Sequence, residues 1–273
     1  MTNTLLFEGC PISYDLNGRG EPVVFVQGVG VHGSGWGYQV RELARDYRCL
    51  TFDNRGIGSS CPASANITVE QLARDTLAIM DAAGFAQAHL VGHSFGGLIA
   101  QQLALTARSR VRTLSLLCTT GRGADTARLS PVLLWRSLRS RIGTRAMRRS
   151  AFLRIVMPER YLAGLDRDKL GQEVAALFGH DLADSPAIVR RQLIALCRFN
   201  PGSRLKELSG IPTLVVSARE DPIFPPRFGR ALAEAIGEAN FIEIPNASHG
   251  VIIQRAEEMN TLLREHFAIA ADR

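Results

Sequence analysis

The chain has 273 residues, which is enough for one large domain or two small ones. Its 46% apolar and 21% charged residues are typical of a globular protein, and its 25 Gly and 12 Pro are too few for a fibrous chain. The formal net charge is +6, and every basic residue except Lys169 and Lys206 is arginine. A fibre, a coiled coil and a disordered tail are excluded.

The arginines are scattered along the chain except between residues 122 and 160. This stretch contains ten arginines and only two acidic residues, Asp125 and Glu159. Basic segments that bind nucleic acid usually mix Lys with Arg in runs that include aromatic residues. We therefore expect no nucleic-acid partner. This stretch is interpreted as the solvated face of amphipathic helices, with a site for an anionic partner as the alternative.

Five cysteines, an odd number without a CxxC pair, predict buried thiols in a reducing compartment. The first residues show no basic segment followed by an apolar one, so no secretory signal is predicted. Two long stretches without charge, 22–40 and 85–107, contain too many glycines and polar residues to span a membrane. We expect a cytoplasmic protein without a membrane partner.

Short apolar runs alternate with helical patterns along most of the chain. Strands are predicted at 23–27, 48–53, 88–92, 112–118, 213–217 and 241–244, and helices at 68–83, 95–107, 226–236 and 256–267. The first helix begins with Thr68 and Gln71 in capping-box spacing and ends at Gly84. Strands separated by helices indicate a parallel α/β sheet that is covered on both faces.

The alternation stops after Cys118, and the next eighty residues have only helical patterns. We expect a core made of residues 1–121 and 205–273, with a helical cap inserted at 122–204. No internal repeat is present.

The strongest chemical signal is Gly92-His93-Ser94-Phe95-Gly96-Gly97, between a predicted strand and a predicted helix. A serine at a sharp strand-to-helix turn needs unusual backbone angles, and small flanking residues let the neighbouring elements approach it. The N–H groups of the following helix favour negative charge beside that serine. Ser94 is therefore the candidate nucleophile.

A serine hydroxyl becomes a strong nucleophile only when a base takes its proton and a third group fixes that base. Asp221 follows the strand at 213–217, and His249 follows the strand at 241–244. The order Ser, Asp, His is typical of an α/β-hydrolase. Glu220 is the rival acid, while the other histidines are assigned to surfaces, to helix faces or to positions outside this order.

Acyl transfer also needs N–H donors for the oxyanion that forms in the transition state. The N–H of Phe95, directly after the nucleophile, is one candidate. Val29 in the Gly28-Val29-Gly30 turn after the first predicted strand is the other. We find neither metal-ligand spacing among His and Cys nor a phosphate-binding glycine loop.

With these residues the chain resembles the α/β-hydrolase superfamily, specifically its capped esterase, lactonase and C–C hydrolase group, over nearly its whole length. The resemblance rests on the Gln27-Gly28-Val29 loop, the turn Asp53-Asn54-Arg55-Gly56-Ile57-Gly58-Ser59-Ser60, the Ser94 turn, the helical insertion, Asp221 and His249. It implies an α/β-hydrolase fold, a mostly parallel central sheet flanked by helices, with a helical cap inserted after the sixth strand. It further implies no organic cofactor, no metal and an architectural role for the 53–60 turn.

Gln27 stands where this family usually has a histidine, but the backbone role of the loop does not depend on that side chain. The resemblance implies a serine hydrolase that cleaves a carboxylic ester or lactone of a small, largely apolar substrate through an acyl-enzyme. The predicted substrate contacts are the mostly apolar residues of the cap and of the core loops. They are His32, Trp36, Trp135, Phe152, Met157, Phe224 and Val251.

Three alternatives use the same residues: C–C bond hydrolysis of a vinylogous diketone, cofactor-free perhydrolysis, and a hydrolase-fold receptor with little turnover. Perhydrolase relatives often carry an aromatic residue near position 29 and Met after the nucleophile, whereas this chain has Val29 and Phe95. An aspartate nucleophile is excluded by Ser94. The oligomeric state is not predicted.

Overall fold

The structure, a computed structural model, describes residues 2–61, 67–127 and 131–270. The described residues contain a sheet of eight strands. They are β1 Thr2–Phe7, β2 Cys10–Asn17, β3 Glu21–Val26, β4 Tyr47–Phe52, β5 Ala88–His93, β6 Val111–Leu117, β7 Thr213–Ala218 and β8 Asn240–Ile244.

Helices lie between most of the strands. They are α1 Gly37–Leu43, α2 Val69–Ala82, α3 Phe95–Thr106, α4 Pro131–Arg139, α5 Arg145–Val156, α6 Glu159–Leu162, α7 Arg167–Phe178, α8 Ile188–Arg198, α9 Pro226–Ile236, α10 Val251–Gln254 and α11 Ala256–Ala268. The predicted strands and helices are confirmed to within two residues at each end. At the start of α2, the Gln71 N–H donates to the Thr68 side chain, as the capping pattern predicts.

The strand order is β1-β2-β4-β3-β5-β6-β7-β8. Strands β3 to β8 pair in parallel, whereas β2 pairs antiparallel with both β1 and β4. The carboxyl ends of the parallel strands therefore meet at one edge of the sheet, where α/β folds bind their ligands.

The β1–β2 hairpin was not predicted. Its residues alternate between exposed and half-buried along β1, which is the pattern of an edge strand with little apolar signal. Glu8 and Gly9 both have positive φ, 45° and 71°, as a two-residue hairpin turn requires. Gly9 is a sequence signal for such a hairpin turn, but a glutamate is unusual at its first position.

Apolar side chains cover both faces of the parallel strands. In β3, Val24 and Val26 point into one core cluster, with α2, α3 and α9, whereas Val23 and Phe25 point into the other, with α1, α10 and α11. This alternation follows from the two-residue period of a strand. It explains why the strands appear in the sequence as continuous apolar runs.

In the described part of the chain, helices α4 to α8 stand between β6 and β7, so the helical insertion follows the sixth strand as predicted. Seven of the apolar residues on α4 to α7 and their loops, together with Leu182, form a separate small core. Ile223 and Ile253 of the core loops pack against it. The limits of the cap, 122 and 204, remain a prediction. Met1 and residues 62–66, 128–130 and 271–273, which fall within the predicted ranges, lie outside the described residues.

The 53–60 turn ties the sheet to α2 and to the hairpin. The fully buried Arg55 guanidinium donates to both carboxylate oxygens of Asp75, at 2.8 and 2.6 Å, and to the Phe7 carbonyl oxygen at 3.1 Å. The Asp53 carboxylate accepts from the N–H groups of Gly33 and Ser59. These contacts hold loops together, in keeping with the expected architectural role.

The cysteines are only partly as expected. Cys10, Cys49 and Cys118 are buried, but Cys61 and Cys197 are exposed, so the prediction of five buried thiols is wrong for two of them. Among the described helices, we find none that combines the length and the apolar character that a membrane crossing requires.

Candidate active site

Ser94 lies at the sharp turn between β5 and α3. Its φ is 56° and its ψ is −123°, and the Leu117 carbonyl oxygen accepts from its N–H at 2.9 Å. A Cβ on Gly92 would lie 2.4 Å from the Gly96 carbonyl oxygen, and a Cβ on Gly96 would lie 2.1 Å from the Val26 carbonyl oxygen. Only glycine allows β3, β5 and α3 to approach this closely.

Ser94, Asp221 and His249 form one hydrogen-bonded chain. His249 Nε2 lies 3.0 Å from the Ser94 Oγ, and His249 Nδ1 lies 2.7 Å from Asp221 Oδ2. Asp221 Oδ1 also accepts from the N–H groups of Ile223 and Phe224, at 2.8 and 3.0 Å. The loops after β5, β7 and β8 thus bring these three predicted side chains together, and each is less than a tenth exposed.

Burial and charge act in opposite directions on Asp221. Burial by itself would raise the pKa of this carboxyl, but the adjacent His249 and the hydrogen bonds that Asp221 accepts outweigh it, so the pKa is lower than usual. Asp221 is therefore an anion that accepts the Nδ1 proton of His249. Glu220, the rival acid, instead pairs with Arg160 on α6.

His93 precedes the candidate nucleophile Ser94 and contacts His249, the candidate base. Its Nε2 donates to the His249 carbonyl oxygen at 2.9 Å, and its ring lies 4.9 Å from the His249 ring. Burial lowers the pKa of His93 to about 3, so its ring is neutral near pH 7. His93 was not predicted to have this role.

We define residues 27–30 as the oxyanion loop. Two glutamine side chains accept hydrogen bonds from its main chain, one within the loop and one from the cap. The Gly28 N–H donates to Gln27 Oε1 and the Gly30 N–H donates to Gln192 Oε1, both at 2.8 Å. Between them, the Val29 N–H has no hydrogen-bond partner among the residues that the structure describes. The Phe95 N–H, at the first position of α3, has no partner within the helix. Both predicted donors are thus available to an oxyanion.

The cap contacts the oxyanion loop, the residues that follow it, and the loop after β8 that carries His249. His180 Nε2 lies 2.9 Å from the Gly30 carbonyl oxygen, and the His32 N–H donates to the Phe178 carbonyl oxygen at 3.3 Å. On the other side, the Gly250 N–H donates to the Val156 carbonyl oxygen at 2.6 Å. Gln192 and His180 could not be predicted, because they lie 162 and 150 positions from Gly30 and no local sequence pattern marks such distant contacts.

Several predicted substrate contacts lie around the triad. The Phe224 ring stacks on the His249 ring, with centroids 5.7 Å apart, and Val251 is fully buried two residues after His249. Met157 follows α5, and its Cγ would lie 3.7 Å from a Cβ on Gly250. His32 lies between the Asp53 carboxylate and the end of α7, whereas Phe152 packs edge-on against Phe178 inside the cap.

Two tryptophans do not lie where a substrate contact was expected. Trp36 is fully buried in the core, against Phe25 and the edge of His93. Trp135 is 62% exposed and lines an outer cleft of about 630 Å³ between cap helices. We correct both predictions: Trp36 is a core residue beneath the triad, because its flat ring fills space beside β3, and Trp135 belongs to the outer surface of the cap.

Metal-binding side chains are grouped at one place in the described residues. Three ligand atoms, one from each of His93, Cys118 and His249, lie within 4.8 Å of one another. Both His249 nitrogens already contact Asp221 and Ser94, and burial raises the pKa of the Cys118 thiol well above its ordinary value. A cation here would have to break the hydrogen-bonded chain, so the donor set does not fit a metal alongside the triad.

The comparisons with known proteins identify the family of the chain. The sequence model of the alpha/beta hydrolase fold family matches residues 21–256. The chain belongs to this family, and the protein is an α/β hydrolase.

Two named proteins are among its relatives. The chain is 32% identical over 270 residues to a Mycobacterium tuberculosis protein that carries the name non-heme bromoperoxidase BpoC, covering 94% of this chain and 97% of that protein. It is 30% identical over 265 residues to a Variovorax paradoxus protein named carbamate hydrolase RutD, covering 94% and 96%.

Solved structures share the fold. The crystal structure of BpoC superposes with a TM-score of 0.79 at 30% identity, covering 95% of this chain and 96% of that one. Est816, described as an N-acyl homoserine lactone degrading enzyme, superposes with a TM-score of 0.79 at 26% identity, covering 96% and 99%.

Proposed function

We propose that this α/β hydrolase is a serine hydrolase that cleaves a carboxylic ester or lactone of a small, largely apolar substrate. The observation that carries the proposal is the chain of two hydrogen bonds from Ser94 through His249 to Asp221. The lactone-degrading activity named for Est816, a structural relative over nearly the whole chain, supports the same class of substrate.

In the proposed mechanism, Ser94 Oγ attacks the carbonyl carbon while His249 Nε2 takes the hydroxyl proton. The electron pair of the C=O bond moves to the oxygen, which accepts from the N–H groups of Val29 and Phe95. The tetrahedral intermediate then expels the alkoxide, which His249 protonates. Water attacks the acyl-enzyme, loses a proton to His249 and releases the carboxylic acid, restoring Ser94.

A fluorophosphonate tests this nucleophile without a guess at the substrate. Ser94 Oγ displaces fluoride from phosphorus and its proton leaves through His249, so the protein gains the phosphonyl group and hydrogen fluoride is released. We expect one adduct by intact mass, located on the peptide that contains Ser94. The adduct should be absent in Ser94→Ala and His249→Ala, and their melting temperatures serve as the folding control.

Turnover then separates an enzyme from a receptor. If the wild-type protein is labelled and hydrolyses p-nitrophenyl esters or simple lactones repeatedly, the proposal stands. A folded protein that forms no adduct would contradict it, and one that cleaves a single equivalent and stops would favour the hydrolase-fold receptor.

A second candidate, perhydrolysis, is favoured by the name of the relative BpoC. In this reaction hydrogen peroxide replaces water at the acyl-enzyme and releases a peracid, which oxidises bromide to hypobromite and returns the acid. Bromination of monochlorodimedone in acetate, peroxide and bromide that disappears in Ser94→Ala would support it. Bromination that is unchanged in that variant would exclude the triad as its source.

A further inference from the structure

Gly30 of the oxyanion loop is held at both of its main-chain polar groups by side chains of the cap. Its N–H donates to Gln192 Oε1 on α8 at 2.8 Å, and its carbonyl oxygen lies 2.9 Å from His180 Nε2, just after α7. Gly30 has a φ of 75°, a conformation that favours glycine, and a Cβ there would lie 2.9 Å from Val189 Cγ2. The loop thus takes its shape against α8.

The Gln192 side chain is fully buried, but only half of its amide is used. Its Nε2 is enclosed and has no hydrogen-bond partner among the described residues. Burying an unpaired amide donor is unfavourable, and an apolar side chain of the same length would fill this space without that penalty. The presence of glutamine is therefore explained by the bond from its Oε1 to Gly30 and not by packing alone.

The hydrogen bond to Gly30 fixes the peptide plane that carries the Val29 carbonyl and the Gly30 N–H. The Val29 N–H lies in the preceding peptide plane, which meets this one at the Val29 Cα, so its direction is restrained through the φ and ψ angles of Val29. Gln27 fixes the preceding N–H, that of Gly28. The Val29 N–H therefore lies between two N–H groups whose directions are set by glutamine oxygens, one from the core and one from the cap.

We propose that Gln192 is a positioning residue for the oxyanion hole: through its hydrogen bond to Gly30, the docked cap aims the Val29 N–H at the oxyanion. The inference rests on the proposed function. It makes the cap part of the catalytic apparatus as well as a cover for the substrate, because withdrawal of α8 would release one side of the loop.

The first test replaces Gln192 by methionine, which keeps the length of the side chain and removes both polar atoms. Loss of an oxyanion donor lowers kcat by about 10²–10³, so we expect misplacement of one to lower kcat by about 10–100-fold. The fluorophosphonate labelling rate should fall in the same range. Leu193→Ala, on the exposed face of the same helix, is the matched control and should leave both rates unchanged.

The second variant, Gln192→Glu, distinguishes positioning from a structural role. A protonated glutamic acid keeps a neutral carbonyl oxygen for the Gly30 N–H, whereas an ionised one brings negative charge next to a developing oxyanion. The ratio of its kcat to that of the wild type should therefore rise as the pH is lowered. The same ratio for Gln192→Met should stay flat, because methionine does not titrate.

A kcat and a labelling rate for Gln192→Met within about twofold of the wild type would overturn this inference. A Gln192→Glu variant, which keeps an oxygen for the Gly30 N–H, would overturn it too if it were no faster than Gln192→Met at any pH. If the wild-type protein itself takes no fluorophosphonate label, the proposed function fails first. Labelling of the wild type and of both variants at equal rates would overturn only the role of Gln192.

Discussion

Ser94 occupies a backbone conformation that residues with a side chain rarely adopt. Such a conformation typically costs about 1–3 kcal/mol and persists only where its surroundings hold it in place. Here the Ser94 N–H donates to Leu117, and its carbonyl oxygen accepts from the Gly97 N–H and the Thr119 hydroxyl. The strain is offset by these contacts, and it presents Oγ to His249 instead of to the helix.

Asp221→Asn should keep the fold and lose most of the activity. An asparagine nitrogen facing His249 Nδ1 would favour the wrong tautomer, and the corresponding change in a serine protease lowers kcat by about 10⁴-fold. Steady-state kinetics on a p-nitrophenyl ester will measure the loss. Glu220→Gln is the control: Glu220 contacts Arg160 and not His249, so kcat should change by less than about threefold. Equal losses in the two variants would contradict the assignment of the acid.

At the scale of elements, the end of α7 connects the cap to the loop after β3. Gly179 ends this helix in the left-handed region, with φ 78°, and a Cβ there would lie 2.3 Å from the ring of His32. Ser34 Oγ donates to the Leu177 carbonyl oxygen at 2.7 Å in the same contact. Gly179 therefore both ends the helix and forms part of the surface that contacts the loop after β3.

Gly179→Ala is expected to destabilise the protein more than Gly164→Ala, although both glycines have positive φ. At Gly164, φ 82°, no described residue beyond its chain neighbours has an atom within 4 Å of the added Cβ, so the change adds only backbone strain of about 1–2 kcal/mol. At Gly179 the clash with His32 adds about 1–3 kcal/mol. Urea unfolding will compare the two, and equal free-energy losses would show that α7 does not dock on His32.

Acid should weaken the cap through Asp181. The Arg149 guanidinium, followed by the Ala183 N–H and Arg145, holds the pKa of this carboxyl well below its ordinary value. A lowered folded-state pKa contributes stability that is complete above the unfolded value of about 3.9 and is lost as the pH falls through the folded value. The difference in melting temperature between wild type and Asp181→Asn should therefore be largest near pH 7 and shrink below about pH 4. A difference independent of pH would contradict it.

The sequence was sufficient for the parallel sheet and for the three residues at its carboxyl edge. The strands and the Ser94 turn have local signals, because the apolar runs end at glycines and Ser94 stands between β5 and α3. The contacts of Gln192 and His180 have none, since they arise only when a remote insertion docks on the loop. The two tryptophans show the same limit: a large apolar side chain has one pattern whether it lies in a core, in a pocket or on a surface.

At the scale of the whole molecule, the rate at which each cysteine thiol reacts with a reagent reports how tightly its surroundings are packed. Burial raises the pKa of Cys49 to about 12 and that of Cys118 well above its ordinary value, and both side chains are enclosed by the core. We expect a thiol reagent at neutral pH to modify two cysteines quickly, the exposed Cys61 and Cys197, and the remaining three only after unfolding. Fast reaction of all five in the folded protein would contradict this packing.

The cap holds the core at several main-chain groups, namely the N–H groups of Gly30, His32 and Gly250 and the carbonyl oxygen of Gly30. Main-chain groups are the same whatever side chains a homologous core carries. A transplanted cap would therefore keep these main-chain bonds on the core of another α/β hydrolase. Its contacts with side chains, such as those of Ser34, Ile223 and Ile253, would have to be rebuilt. Under the role proposed for Gln192, exchange of the cap would change the substrate preference and the alignment of the oxyanion loop together.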